Sequence, residues 1–185
     1  MLLIQNASLV AIDFESTGER SGLGALPIQV GMASLERLTI LPETFFRSYL
    51  QVRNPVSKGN RVLSKIADAP TLLSLWPTFE ERLRGRCLVA HGRGTEKRFL
   101  RAFPMHGFGP WIDTLTLTRT MVPGLPSYQL SDLLLYFGLV EHIAVYLPDF
   151  RWHEALSDAL ASLLLLLHLI KKGNLSKEPI SFLIS

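Results

Sequence analysis

The chain has a single cysteine, Cys87, which excludes an intrachain disulfide and fits a reducing compartment; a cytoplasmic location is expected. That cysteine lies in the apolar run Cys87-Leu88-Val89-Ala90, the setting of a buried structural thiol rather than a nucleophile. Cys87, His106 and His142 lack metal-ligand spacing, so no structural zinc is expected. Charge of either sign is not in large excess. The net charge of +3 and pI of about 9.2 are compatible with a polyanionic partner without requiring one. No secretory leader is expected, because Met1-Leu2-Leu3-Ile4 has no basic start and stops at Gln5-Asn6. Nor is there a run long enough to span a bilayer. Ala155 to Ile170 is the most apolar stretch, but it carries Asp158 and His168 and falls short of roughly twenty apolar residues. It reads as a buried core helix, and no membrane partner is expected. Internal repeats and linkers are also lacking. The 185 residues, 48% of them hydrophobic, therefore read as one domain with a core over about 9–172 and a tail over 173–185.

Three strands come early. Leu9–Glu15, Ile28–Leu35 and Thr44–Val52 carry apolar, β-branched and aromatic residues at strand density, with Arg37–Glu43 connecting the last two. Their close succession predicts an antiparallel meander. Between them Glu19–Leu26 reads as a loop closed by Pro27, and Asn54–Asp68 as a loop or short helix. Thr71–Leu83 has helical periodicity interrupted by Pro77. A strand over Arg86–His91, the turn Gly92-Arg93-Gly94 and a helix from Glu96 to about Ala102 follow, with Thr95 as its cap. Trp111–Thr114 reads as a strand, and Leu130–Phe137 and Ala155–Ile170 as helices, the last ended by Lys171-Lys172-Gly173. Strands first, then strands alternating with helices, predict an α/β mixed sheet with helices on both faces. Sites in such sheets form at the carboxyl ends of central strands. Asp13, Glu15 and the His91–Glu96 turn all fall at such ends.

The stretch Leu9-Val10-Ala11-Ile12-Asp13-Phe14-Glu15-Ser16-Thr17-Gly18 organises the rest. Side chains alternate along a strand, so Asp13 and Glu15 share one side while Val10, Ile12 and Phe14 share the other. Two carboxylates that close repel each other unless something positive lies between them, and a divalent metal is the usual answer. Asp158 follows near the start of the last helix, with the small residues Ala155, Ala161 and Ser162 three and four positions away and Glu154, at the helix entrance, the exception. Those small residues allow the helix to approach the sheet and bring Asp158 towards Asp13. His153 precedes Asp158 by five positions, which on one helix would point the two about 140° apart. For both to serve one site, His153 must lie on the loop entering the helix, and Asp149-Phe150-Arg151-Trp152 is irregular enough to be that loop.

Taken together, Asp13-Phe14-Glu15-Ser16-Thr17-Gly18, then His91-Gly92-Arg93-Gly94-Thr95-Glu96, then His153 and Asp158 resemble the three motifs of the DEDDh 3′→5′ exonucleases. That family has a ribonuclease H-like fold and includes proofreading subunits and RNA-trimming enzymes. The resemblance runs from Leu9 to about Leu167, and Trp111-Ile112-Asp113-Thr114-Leu115 and Tyr128-Gln129-Leu130-Ser131-Asp132-Leu133 also look like the family's connecting elements. It implies two Mg²⁺ or Mn²⁺ ions per site. Asp13, Glu15 and Asp158 would hold one, and Asp13 with the acid of the middle motif, Glu96, the second. It implies that His153 is the general base, and that Phe14, Ser16, Thr17, Gly18 and His91 lie against the terminal nucleotide. The partner it implies is a nucleic-acid 3′ end, DNA or RNA; a homodimer and a polymerase or repair partner both stay open.

Two residues depart from the family's pattern, which normally reads His-Asn and ends in Asp where this chain has His91-Gly92 and ends in Glu96. Glutamate keeps the charge but is one methylene longer, and Gly92-Arg93-Gly94 is a flexible frame for a ligand. Catalytic rate and metal preference are the properties these departures touch. The alternative reading is therefore a weakened ribonuclease H-like module that binds nucleic-acid ends without hydrolysis. Arg93, Lys97, Arg98 and Arg101 beside that turn form either a track for a phosphate backbone or a solvated helix face.

Overall fold

A computed structural model describes residues 2–18, 25–52 and 60–184. Its elements, in chain order, are strands β1 (Ser8–Ser16), β2 (Pro27–Glu36) and β3 (Thr39–Tyr49), helices α1 (Asn60–Ala67) and α2 (Trp76–Leu83), strand β4 (Cys87–Ala90), helix α3 (Gly94–Leu100), strand β5 (Trp111–Asp113), and helices α4 (Thr114–Met121), α5 (Leu130–Tyr136), α6 (Val140–Tyr146) and α7 (Ala155–Lys172). The strands form one sheet in the order β3-β2-β1-β4-β5. The first three are antiparallel neighbours, and β4 and β5 run parallel to β1. This is the expected mixed sheet, with β1 at its centre.

The alternation of β1 splits the core into two layers. Leu9 and Ala11 join Ala33, Leu35 and the α7 leucines on one face; Val10, Ile12 and Phe14 join Phe79, Leu83, Phe99 and Leu100 on the other. Helix α7 is buried on nearly every side from Ala155 to Leu166 because it lies between the sheet and a second layer made by α4, α5 and α6. That position explains its all-round apolar character. Among the described residues, no helix is long and apolar enough to cross a membrane.

The structure revises several boundaries. β3 begins at Thr39 rather than Thr44, because the hairpin turns on Arg37 and Leu38, both left-handed (φ 48° and 62°). Pro42 within β3 is tolerated because β3 is an edge strand. The Thr71–Leu83 helix divides into a 3₁₀ turn (Leu73–Leu75) and α2, with Pro77 in the first turn of α2 where its missing N–H costs nothing. Strand β5 stops at Asp113, one residue before the expected Thr114, because Asp113 caps α4. Helices α4 and α6 were not expected. Residues 19–24 of the expected Glu19–Leu26 loop, and 54–59 of the Asn54–Asp68 segment, lie outside the described residues; 60–67 of the latter is helix.

Candidate active site

Asp13 and Glu15 stand at the carboxyl end of β1, opposite Gly31 and Gln29 of β2, and the pairing shifts register between Glu15 and Ser16. Phe14 between them points through the sheet into the other layer, against the rings of Phe79 and Phe99 (6.2 and 5.4 Å). Alternation thus fixes both acids on the α7 face. After the bulge the chain leaves the sheet. Thr17 N–H donates to the Leu26 carbonyl (2.9 Å), Leu26 N–H donates to Thr17 Oγ1 (3.0 Å), and Gly18 takes a left-handed φ of 78°. Ser16–Gly18 therefore present backbone beside the acids, whereas the Phe14 side chain is 5% exposed and can offer only its backbone.

Asp158 arrives from the opposite direction, on the first turn of α7. A close approach sets its place. A Cβ on Gly31 would sit 2.1 Å from Leu156 N and 2.2 Å from Ala155 C, so the helix backbone rests on β2 where only glycine leaves room. Gly31 faces Asp13 across the ladder, so this contact places the helix start beside the strand acids. His153 lies on the preceding loop with a left-handed φ of 60°. The 140° problem is solved as the spacing required: one ligand atom each from Glu15, His153 and Asp158 lie within 4.8 Å of one another. Asp158 Oδ1 is buried and makes no hydrogen bond.

Glu96 enters from the far side of β1, in the first turn of α3, 4% exposed and with Oε2 buried and unbonded. Thr95 does not cap this helix. Gly94 is already helical, Arg93 is the N-cap residue, and neither supplies a side-chain cap bond. The preceding turn is tied rather than loose. Gly92 takes φ 80°, its N–H donates to Asp113 Oδ1 (2.9 Å), and Gly94 N–H donates to its carbonyl (2.6 Å). Asp113 Oδ1 also accepts from Leu115 and Thr116 N–H (3.0 and 3.4 Å), so one buried carboxylate caps α4 and anchors the Gly92 turn. His91 is engaged by the protein itself: Nδ1 lies 3.0 Å from Thr114 Oγ1 and Nε2 2.9 Å from the Tyr128 carbonyl. The carbonyl can only accept, so Nε2 carries a proton, while Thr114 Oγ1, beside Nδ1, donates to the Ala90 carbonyl (3.3 Å). Burial lowers the His91 pKa.

The acids are electrostatically one group with Asp13 at its middle. Burial first, then the charges of Glu96, Asp158 and Glu15, hold the Asp13 carboxyl well above the usual carboxylate range. Burial pushes Asp158 up to about 7, aided by Glu15 and opposed by His153. Burial likewise pushes Glu96 to about 7, against the pull of its own backbone amide and that of Phe14. Asp13 thus feels both the Glu15–Asp158 pair and Glu96. Hard oxygen donors of this kind, two of them with unsatisfied buried atoms, fit a divalent cation, and the group whose ligand atoms come together is Glu15, His153 and Asp158.

A family model described as "Exonuclease" matches residues 10–166. The chain belongs to the exonuclease family. Its exonuclease domain is 26% identical over 172 residues to DNA polymerase III PolC-type of Caldanaerobacter subterraneus subsp. tengcongensis, a match covering 88% of the chain but 12% of that protein. The chain therefore spans only a small part of the curated relative it matches. In fold it is similar to Exonuclease X, solved in complex with 5′-overhanging duplex DNA (TM-score 0.72, 21% identity, 95% of this chain and 98% of that one). It is also similar to the nuclease domain of 3′hExo, a DEDDh family member bound to rAMP (TM-score 0.70, 16% identity, 94% and 96%). The mixed sheet with its helices is the ribonuclease H-like exonuclease fold.

Around the exonuclease site, α3 turns Glu96, Phe99 and Leu100 inward and exposes Arg98 and Arg101. Lys97 is half-buried, with Nζ 5.8 Å from the Trp111 ring. Cys87 is half-buried, and burial lifts its thiol to about 11, so it stays protonated and unreactive. Sequence reasoning missed Gly31, Gln29 and Arg47, which together seat α7, and the capping role of Asp113. A glycine inside an otherwise bulky strand was the available signal for Gly31. Asp113-Thr114 at a strand end was a capping signal for α4.

Proposed function

We propose that this exonuclease domain is a metal-dependent 3′→5′ enzyme that hydrolyses phosphodiester bonds at nucleic-acid 3′ ends and releases nucleoside monophosphates. One observation carries the reading. Ligand atoms of Glu15, His153 and Asp158 lie within 4.8 Å of one another, and beside them the buried Asp13 carboxyl is raised by the charges of Glu96, Asp158 and Glu15, an arrangement that repels itself until cations enter. Asp13, Glu15 and Asp158 would hold one Mg²⁺ or Mn²⁺ ion, and Asp13 with Glu96 a second. Bound ions of this kind stabilise the attacking and leaving oxygens of an in-line phosphoryl displacement. His153, exposed on its loop, has room to take a proton from a water approaching the phosphorus. A histidine suits that task because the residue type titrates near neutrality. The backbone of Phe14–Gly18 lines the place of the terminal nucleotide, and Arg98 and Arg101 face solvent where a phosphate backbone can run. The complexes of Exonuclease X with DNA and of 3′hExo with rAMP support a nucleic-acid substrate, and the PolC-type relative supports a polymerase as partner.

The test is incubation with 5′-labelled single- and double-stranded DNA and RNA, with Mg²⁺ or Mn²⁺, beside Asp13→Ala. Ladders shortening from the 3′ end in wild type alone are the expected result. Binding of ends without shortening under every metal condition would establish the non-hydrolytic alternative. Full activity in a chelator, or in Asp13→Ala, would overturn the metal mechanism.

A further inference from the structure

His153 is held in an unusual backbone conformation; its own N–H donates to the Asp158 carboxylate, and the side chains that hold its two flanks trace back to one residue on β2. Its φ of 60° is one that a histidine keeps only when its neighbours fix the chain on either side. On the C-terminal side is Glu154, the N-cap residue of α7, whose own side chain makes no cap bond to the helix backbone. The cap comes instead from the sheet. Gln29, 3% exposed and opposite Glu15 on β2, accepts a hydrogen bond at Oε1 from Ala155 N–H (3.0 Å). Its Nε2 donates to Glu154 Oε1 (3.4 Å). The same Glu154 oxygen pairs with Arg47 on the edge strand β3, and its other oxygen accepts from Ser157 Oγ (3.0 Å). On the N-terminal side, Arg151 N–H donates to Ser157 Oγ (3.4 Å). Both flanks of His153 are thus tied into one network that starts at Gln29.

We infer that Gln29, with Arg47 and Glu154, is a positioning residue that fixes the His153 loop over the metal-binding acids. The chemistry of a carboxamide is what the position requires. Its oxygen satisfies a helix N–H that would otherwise be buried without a partner, and its NH₂ group meets a carboxylate. A glutamate there would set a third charge against Glu154 and Glu15, and a leucine would supply neither bond. Gln29 touches no reacting atom in this scheme. It acts through His153, and so the inference rests on the reading of His153 as general base.

The experiment is a double-mutant cycle on the full chain, with a 5′-labelled oligonucleotide and saturating Mn²⁺. The four proteins are wild type, Gln29→Leu, His153→Ala and the double variant. Gln29→Leu is expected to lower kcat by roughly 10- to 100-fold with KM and the metal half-saturation point unchanged. In the His153→Ala background the same change should cost less than about twofold, because the group it positions is gone. In metal-free protein, amide exchange at Ala155 should quicken by at least about tenfold in Gln29→Leu. Arg47→Gln, which removes the exposed arm of the network, goes through the same cycle and serves if Gln29→Leu does not fold. An equal loss in both backgrounds, or no loss in wild type, overturns the positioning role while leaving the general base intact. If His153→Ala alone hydrolyses at the wild-type rate, the general-base reading fails, and this inference with it.

Discussion

Replacing Asp13 with asparagine should make the metal-free protein more stable while abolishing hydrolysis. Asp13 lies at the middle of the acid cluster, raised by burial and by the charges of Glu96, Asp158 and Glu15. The size of the penalty can be judged from its neighbours. Asp158 moves from 3.8 to about 7, and at about 1.4 kcal/mol per unit its ionised form carries a cost of roughly 4 kcal/mol. The same arithmetic for Glu96, from 4.5 to about 7, gives roughly 3 kcal/mol. These costs share their pairwise charges and do not add. Removing one charge recovers a fraction, about 1–3 kcal/mol, or roughly 3–10 °C in Tm for a chain of this length. The sign with pH follows from the raised values. Carboxyls with folded pKa values above their unfolded ones bind protons more readily when folded. Their contribution to stability is whole below about 4, declines as pH rises, and is lost above about 7. Thermal melts in chelator should therefore separate Asp13→Asn from wild type most at about pH 8, and bring them together towards about pH 4.5. Saturating Mn²⁺ should raise the wild-type Tm far more than the variant's, since a ligand stabilises the state that binds it. A variant less stable than wild type at about pH 8 without metal, or a gap unchanged with pH, would refute the account of the cluster as a store of repulsion.

Three further outcomes are expected. His153→Ala should lower turnover by about 10²–10⁴-fold with nucleic-acid and metal affinity nearly intact, and the deficit should shrink at high pH where hydroxide replaces the base; wild-type rates across the neutral range would make the histidine structural. Glu96→Asp should retain or raise activity, whereas Glu96→Ala should weaken use of the second ion; unimpaired rates in both across a Mn²⁺ titration would remove Glu96 from the site. Gly31→Ala puts a Cβ 2.1 Å from Leu156 N, so α7 must lift from the sheet. Denaturant unfolding should show a loss of about 1–3 kcal/mol, accompanied by a collapse of activity, and native stability would show that the contact is not binding.

The acids of β1 were legible in the sequence because strand alternation is a local rule: Asp13 and Glu15 had to share a face whatever surrounded them. Asp158 was legible for a related reason, since Ala155, Ala161 and Ser162 mark the stripe that approaches the sheet. The partner surface was not. Gly31 and Gln29 act on a helix start more than a hundred residues away, and although a glycine inside a bulky strand hints at a close approach, nothing near it in the sequence says which element approaches. The hairpin between β2 and β3 was expected, but in sequence its turn reads as Arg37–Glu43 rather than Arg37-Leu38, whose left-handed residues are not the glycine or asparagine such turns usually carry. The Gly92 turn looked loose in sequence, but Asp113 from a later strand ties it down. Helices α4 and α6 were missed because each is short and weakly periodic, and is held chiefly by packing against α7.

The bed that Gly31 makes for α7 also governs when this enzyme can exist. During synthesis β1 and β2 emerge first and can pair early, yet Leu9, Ala11, Ala33 and Leu35 stay uncovered until the helix is laid on them. The same docking delivers Asp158 and His153. A polypeptide halted before Ala155 therefore has two strand acids and an unplaced His153, lacks Asp158, and shows an apolar sheet face that would bind hydrophobic dye. The assembly of the acid cluster and a large burial of apolar surface thus depend on one and the same docking of α7.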